Sequence, residues 1–218
     1  MGHRQRSSQT RRERLISSDF ARKMVQAAKR VATELGIANV EFGVLDAEQL
    51  EFEDASVDGV VCRFSFMLMS DPLRALRETR RVLRLGNRLA FSTWADPGRN
   101  PWMTLSARLM IERGLMEPFS SEGPGMFALA DADTIVLLLA AAGFAEIEVE
   151  EMELRWRLDG PDELWTFASE LQGPVALAIA RLDRHERQVR AALEERAAAF
   201  ATSSGYELPG VSINVIAA

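Results

Sequence analysis

Asp19 and Asp46 are the residues best placed by type and spacing to do chemistry. Each closes a short strand-prone run, LISSD for the first and NVEFGVLD for the second, and 27 positions separate them. Acids at the C-terminal ends of parallel strands open into the crevice where open α/β sheets bind their ligands. An acid in the first position can accept both hydroxyls of a ribose. One in the second can accept from an adenine amino group while the backbone of Ala47 meets the ring. The competing reading of Asp19 is an N-cap for the helix that follows it. In nucleotide-binding α/β proteins a glycine-rich turn comes before the ribose acid. Only fourteen residues precede Leu15 here, and Gly2 is their single glycine.

The elements that must position these acids follow from the pattern. After Asp19, apolar residues fall at Phe20, Met24, Ala27, Ala28, Val31 and Leu35, a helical period that stops at Gly36. VDGVVCRF is a nearly continuous apolar run of the kind that forms a buried parallel strand. Asp71-Pro72 opens a helix as cap and first residue, Leu73, Leu76, Val82 and Leu83 give it an apolar side, and Gly86 stops it. NRLAFSTW is the next strand. This alternation predicts a parallel sheet with helices on both faces. Beyond Trp94 come a loop (ADPGRNPW), a Leu- and Met-rich helix over 103–116, the loop SSEGPGMF, and a helix capped by Asp131 or Asp133 that ends at Gly143. FAEIEVEEMELRWRL reads as a strand whose alternation changes parity near Glu150-Glu151, which predicts a bulge or break there. Helices around 162–171 and 183–200 and a last strand, LPGVSINVIAA, complete the chain.

Composition narrows the classes of function. The 218 residues carry a net charge of −6, distributed unevenly: five arginines and one glutamate make residues 1–14 basic, and the remainder is acidic. An acidic body argues against non-specific nucleic-acid binding. One cysteine, Cys62, excludes an internal disulfide and suits a cytoplasmic location; as a small apolar residue it fits an interior. His3 and His185, the only histidines, give no basis for a metal site or a histidine-centred triad. No apolar run has the length of a membrane span. Residues 1–14 read as a disordered basic leader, with an organelle transit peptide as the alternative, and 15–218 as a single domain in which 95–130 forms a cap on the substrate side.

The sequence around the two acids resembles the class I S-adenosylmethionine-dependent methyltransferases, in particular the group of the ubiquinone/menaquinone-biosynthesis C-methyltransferases. DAEQLEFEDASVDGVV is similar to that group's D-A-E-x-L-P-F-x-D-x-S-F-D-x-V stretch. RRVLRLGNRL is similar to R-V-L-x-P-G-G-x-L, with Leu85 and Asn87 where Pro and the second Gly are usual. The resemblance runs from Leu15 to Trp94 and, more loosely, on to the last strand. It implies a Rossmann-like methyltransferase sheet and S-adenosylmethionine as cofactor. By it, Asp19 would hold the ribose, Phe20 and Met24 would line the adenine side, Asp46 and Ala47 would fix the adenine edge, and Arg63 would sit beside the methionine end. Met24 as a helix-core residue and Arg63 as a surface cation are the plainer alternatives.

The family's first strand and glycine-rich turn have no counterpart in MGHRQRSSQTRRER. That strand is the central one, so its lack predicts two exposed strand edges and self-association, as in a homodimer. Three readings result: a methyltransferase acting on a small-molecule acceptor by direct in-line displacement; a truncated or degenerate domain without activity that works through a partner; and a nicotinamide-binding protein, disfavoured by the lack of G-x-G-x-x-G. The substrate side falls on FSFMLM (64–69), the Trp94–Trp102 loop and the helix after it, with interior packing as the alternative. No general base is identifiable.

Overall fold

The computed structural model describes residues 14–118, 123–171, 173–182 and 186–218. The expected 1–14 leader lies outside these residues except for Arg14, which donates to Glu41 at 2.5 Å; so do part of the loop before Gly123 and the start of the helix expected from 183. The chain divides into two compact units, Met1–Phe52 and Glu53–Ala218.

In the first unit, β1 (Leu15–Asp19) and β2 (Val40–Val44) pair in parallel, Leu15 opposite Val40 and Asp19 opposite Val44, with α1 (Arg22–Glu34) crossing between them. The helix has no side-chain cap and ends ahead of Gly36, whose φ of +68° suits a residue without Cβ. Ala32 is the one buried residue among those described here, and the apolar stripe of α1 faces outward: Phe20 is 68% and Met24 58% exposed.

The second unit holds β3 (Val60–Arg63), α2 (Pro72–Val82), β4 (Leu89–Trp94), α3 (Pro101–Glu112), α4 (Ala132–Ala141) and β5 (Glu148–Leu158). These are followed by α5 (Pro161–Thr166), continued by a π-helical turn, then α6 (Gly173–Ile179), α7 (Glu186–Ala197), β6 (Ala201–Thr202) and β7 (Gly205–Ala217). The sheet order is β3-β4-β7-β5, with β6 folded back on β7. β3 and β4 are parallel, and β7 runs antiparallel to both β4 and β5. Capping explains two helix starts: Asp71 accepts from Arg74 N at 2.9 Å with Pro72 as first residue, and Asp131 accepts from Thr134 N at 2.8 Å and Thr134 Oγ1 at 2.6 Å. Asp131, not Asp133, is the cap. α2 ends at Val82, ahead of the Gly86 turn, because Leu83 is already extended. The helical core joins Leu109 and Met110 of α3, Leu164, Val175, Val189 and Leu193 of α5–α7, and Leu158 and Leu208 of the sheet.

Two expectations are corrected. The parity change in β5 is not a bulge: its residues pair one to one with β7, from Glu148 opposite Ile216 to Leu158 opposite Tyr206. Successive strand residues face opposite sides; Trp156 and Leu158 join the helical core, while Val149 is half-buried on the other side. The covered side changes, and the backbone register does not. β3 is not a buried strand either. Its one partner is β4, and Val61 is 85% exposed. Among the described residues no strand pairs the outer edge of β1 or of β3.

Candidate functional site

The two acids share one local device. Asp19 ends β1, and its Oδ1 accepts the N–H of Ala21 at 2.7 Å; Asp46 lies two residues past β2, and its Oδ1 accepts the N–H of Glu48 at 2.9 Å. Each bond spans two residues, the geometry of an Asx turn. Asp19 is therefore a turn former rather than the N-cap of α1, a place taken by Ala21. In both turns one carboxylate oxygen is tied to the loop and fixes the group, while the second has no partner among the described residues. Leu45 N donates to Asp19 O at 3.3 Å, which ties the two strand ends together. A cleft of about 370 Å³ opens here, lined by Phe20, Val44, Leu45, Asp46, Gln49 and Glu51. It brings together Phe20 and Asp46 of the expected residues; Asp19, Met24 and the half-buried Ala47 are not in its lining. Gln49 and Glu51 escaped the sequence reading because a polar turn carries no periodic signal.

These groups could take an adenosine: Phe20 offers an exposed apolar ring face, and the second carboxylate oxygens of Asp46 and Asp19 can accept from an amino group and from hydroxyls. The unit's described glycines, Gly36 and Gly43, both follow β1, so neither forms a turn ahead of it.

In the second unit, Arg63 ends β3, exposed and without an ion pair among the described residues. Burial pushes the thiol of half-buried Cys62 up to about 11, so it is protonated and inert at neutral pH. FSFMLM divides: Phe66 and Met67 are interior, as are Met103 and Met110 of α3, so packing accounts for them. Phe64, Trp94, Trp102 and Trp156 form one aromatic group. Phe64 stacks on Trp94 (4.0 Å, 8°), Trp102 stacks on Trp156 (4.0 Å, 11°), and Trp94 meets Trp102 edge-on at 4.9 Å. Asn100, fully buried, anchors it. Its Nδ2 donates to Ala95 O and Val211 O, and its Oδ1 accepts from Val211 N and Trp102 Nε1. Gly210 leaves the room: a Cβ there would lie 2.5 Å from Trp102 and 2.7 Å from Trp156. Asn100 and Gly210 were not readable as site residues, because their roles depend on contacts across 54 to 111 positions of chain. At the rim, Arg99 donates to both carboxylate oxygens of Glu151 and holds that acid below the usual range.

Residues 2–91 match the model of a methyltransferase domain. The uncharacterized methyltransferase YcgJ of Bacillus subtilis is 34% identical over 116 residues, covering 52% of this chain and 46% of that protein. A demethylmenaquinone methyltransferase of Clavibacter sepedonicus is 28% identical over 143 residues, 62% of this chain and 58% of the relative. The chain thus spans about half the length of the curated relatives it matches. Among solved structures, that of YcgJ overlaps 94% of this chain and 81% of its own with a TM-score of 0.58 at 21% identity. A Haemonchus contortus phosphoethanolamine N-methyltransferase 2 in complex with S-adenosyl-L-methionine overlaps 94% of this chain and 43% of its own, with a TM-score of 0.52 at 15% identity. The fold is α/β and is shared with these Rossmann-like methyltransferase structures.

Proposed function

We propose that the chain binds S-adenosylmethionine and serves methyl transfer to a small-molecule acceptor by direct in-line displacement. The observation that carries this reading is the pair of Asx-turn acids at adjoining strand ends, each with one carboxylate oxygen free, beside the Phe20–Asp46 cleft. When bound, S-adenosylmethionine supplies a methyl group made electrophilic by its sulfonium. The chain's own work is then binding and orientation. Asp19 accepts ribose hydroxyls, Asp46 and the backbone of Ala47 fix the adenine edge, and Phe20 and Met24 cover the ring. The resemblance assigns Arg63 to the methionine end, an assignment tested separately by Arg63→Ala. Alignment of acceptor and methyl group, together with exclusion of water, accounts for up to ~7–11 kcal/mol of barrier in favourable cases, so no catalytic side chain is required.

Calorimetry with S-adenosylhomocysteine tests the reading. Asp46→Ala and Asp19→Ala should each weaken binding by about tenfold or more, the value of a hydrogen bond to a charged acceptor. No binding by the unmodified chain, or unchanged affinity in both variants, would leave the second reading, a methyltransferase-like domain that works through a partner. That reading draws on the outward apolar stripe of α1 and the unpaired edge of β3. Among the described residues no helix is long and apolar enough to cross a membrane. A cytoplasmic location, homodimerisation and indifference to nucleic acid complete the proposal.

A further inference from the structure

The five-stranded sheet of the second unit is covered on one side only. On β4 and β7, Leu89, Phe91, Thr93, Ile213, Val215 and Ala217 are at most 3% exposed, with Phe66 edge-on against Phe91 at 5.2 Å. Successive strand residues alternate sides, and on the other side Ile216 is 39% exposed and Val61 85%. Two cross-strand rows run over that open side. One joins Val61, Ala90, Ile216 and Glu148; the next joins Arg63, Ser92, Asn214 and Glu150. Ser92 Oγ donates to Asn214 Oδ1 at 2.8 Å, so the middle of the second row is satisfied within the chain. Its ends are not. Arg63 on β3 and Glu150 on β5 are exposed, and neither has an ion pair among the described residues. The order β3-β4-β7-β5 sets them three strand spacings apart, roughly 14 Å. Side chains that stand out from a sheet do not meet across that distance.

We propose that this open side is an interface with a second copy of the chain, packed face to face about a two-fold axis that runs along the strands between β4 and β7. Such an axis lays β3 over β5 of the second copy and β4 over its β7, at unchanged height along the strands. Arg63 then faces Glu150 of the second copy, and Glu150 faces its Arg63. Charges that one chain keeps apart become two ion pairs. Between them Ala90 and Ile216 close on each other across the axis. Packed sheets lie about 10 Å apart, a gap that an arginine and a glutamate span together. An axis across the strands at this row would instead set Arg63 over Arg63, which like charge disfavours. The contact is isologous, so it closes at two copies. It gives the homodimerisation proposed above a surface, and rests on that part of the proposal but not on cofactor binding. Arg63 cannot serve this pair and the methionine end of a cofactor at once.

Sedimentation velocity of the full chain over a concentration series tests this, with a monomer–dimer equilibrium expected. Glu150→Arg sets two arginines face to face and should weaken the dimer by about tenfold or more, as should Arg63→Glu. The double exchange, Arg63→Glu with Glu150→Arg, restores both pairs and should return the dissociation constant to within about threefold of the unmodified chain. Ile216→Asp separates a face from an edge. β7 is an inner strand, out of reach of edge pairing, so a dimer through the edge of β1 or β3 would keep its strength. The proposed dimer should lose about tenfold, a readout that stands if the double exchange does not fold. A chain that stays monomeric, single variants without effect, or a folded double exchange that fails to recover would each overturn the proposal. S-adenosylhomocysteine calorimetry on the same samples keeps the two ideas apart. An unmodified chain that binds cofactor as a monomer refutes the interface alone, and a dimer that binds no cofactor refutes the methyltransferase reading alone.

Discussion

The two Asx-turn acids and the aromatic group sit in regions held together to very different degrees. Around Asp19 and Asp46, a two-stranded sheet and one helix bury only Ala32 among the described residues, and the helix turns its apolar stripe outward. Around Trp94 and Trp102, a five-stranded sheet and four helices share a continuous core from Leu109 to Leu208. A two-stranded sheet is marginal without further cover. The first region is therefore stiff only at its turns, where the Asx bonds fix the carboxylates, and the second is stiff throughout. Local openings start where few apolar contacts are buried.

Several substitutions would break or sharpen this contrast. The largest effect falls on the core: Leu208→Ala should cost about 2–5 kcal/mol in denaturant unfolding, whereas Met24→Ala on the exposed stripe should stay within ~0.5 kcal/mol. A comparable loss from both would erase the distinction, and hydrogen exchange should find the β1–β2 amides opening ahead of those of β4 and β7. Next comes Asn100→Ala, at about 2–4 kcal/mol, since it strands the backbone groups of Val211 and the Trp102 N–H in the interior. Gly210→Ala should cost about 1–3 kcal/mol by pushing its new methyl group into Trp102 and Trp156, with a changed tryptophan emission. Asp131→Ala removes a helix cap for about 1 kcal/mol.

The smallest effect is electrostatic. Glu151 is held down by its hydrogen bonds to Arg99, Glu112 by Arg196, and Glu207 by Arg157 and then Arg155, all in the second unit; Glu41, held by Arg14, is the counterpart in the first. Each folded pKa lies below its ordinary value of 4.5. The stabilisation is therefore fully present above 4.5 and is lost as pH falls from there through each lowered folded pKa. Three of these groups are exposed and Glu207 is partly so, and all are screened by solvent, so the melting temperature should drop only slightly from about pH 6 to about pH 4 and more steeply below. A rise over that interval would contradict the sign.

What the sequence made legible was local. Asp71-Pro72 and Asp131 announce helix starts because a cap and the helix it begins lie within four residues. The two acids were readable because Asp19 ends a strand and Asp46 lies just past one. Long-range facts were not readable. That β7 lies between β4 and β5 depends on pairings across 48 to 128 positions, and no short window of sequence contains both partners. The parity change in β5 looked like a bulge because the pattern records which side is covered without naming the cover. VDGVVCRF looked buried for a similar reason: apolar character reports a tendency to be covered, while β3 has β4 on one edge only.

The place of β7 also bears on how the protein comes into being. Its 13 residues follow every other strand among the described residues, yet they form the inner seam that joins β4 to β5. During synthesis β5 has no hydrogen-bonded neighbour until β7 leaves the ribosome, and β4 has only β3. The aromatic group shares this dependence, since Gly210 and Val211 floor it. A nascent chain halted before Gly205 would thus display open strand edges and loose tryptophans, the kind of species that chaperones hold.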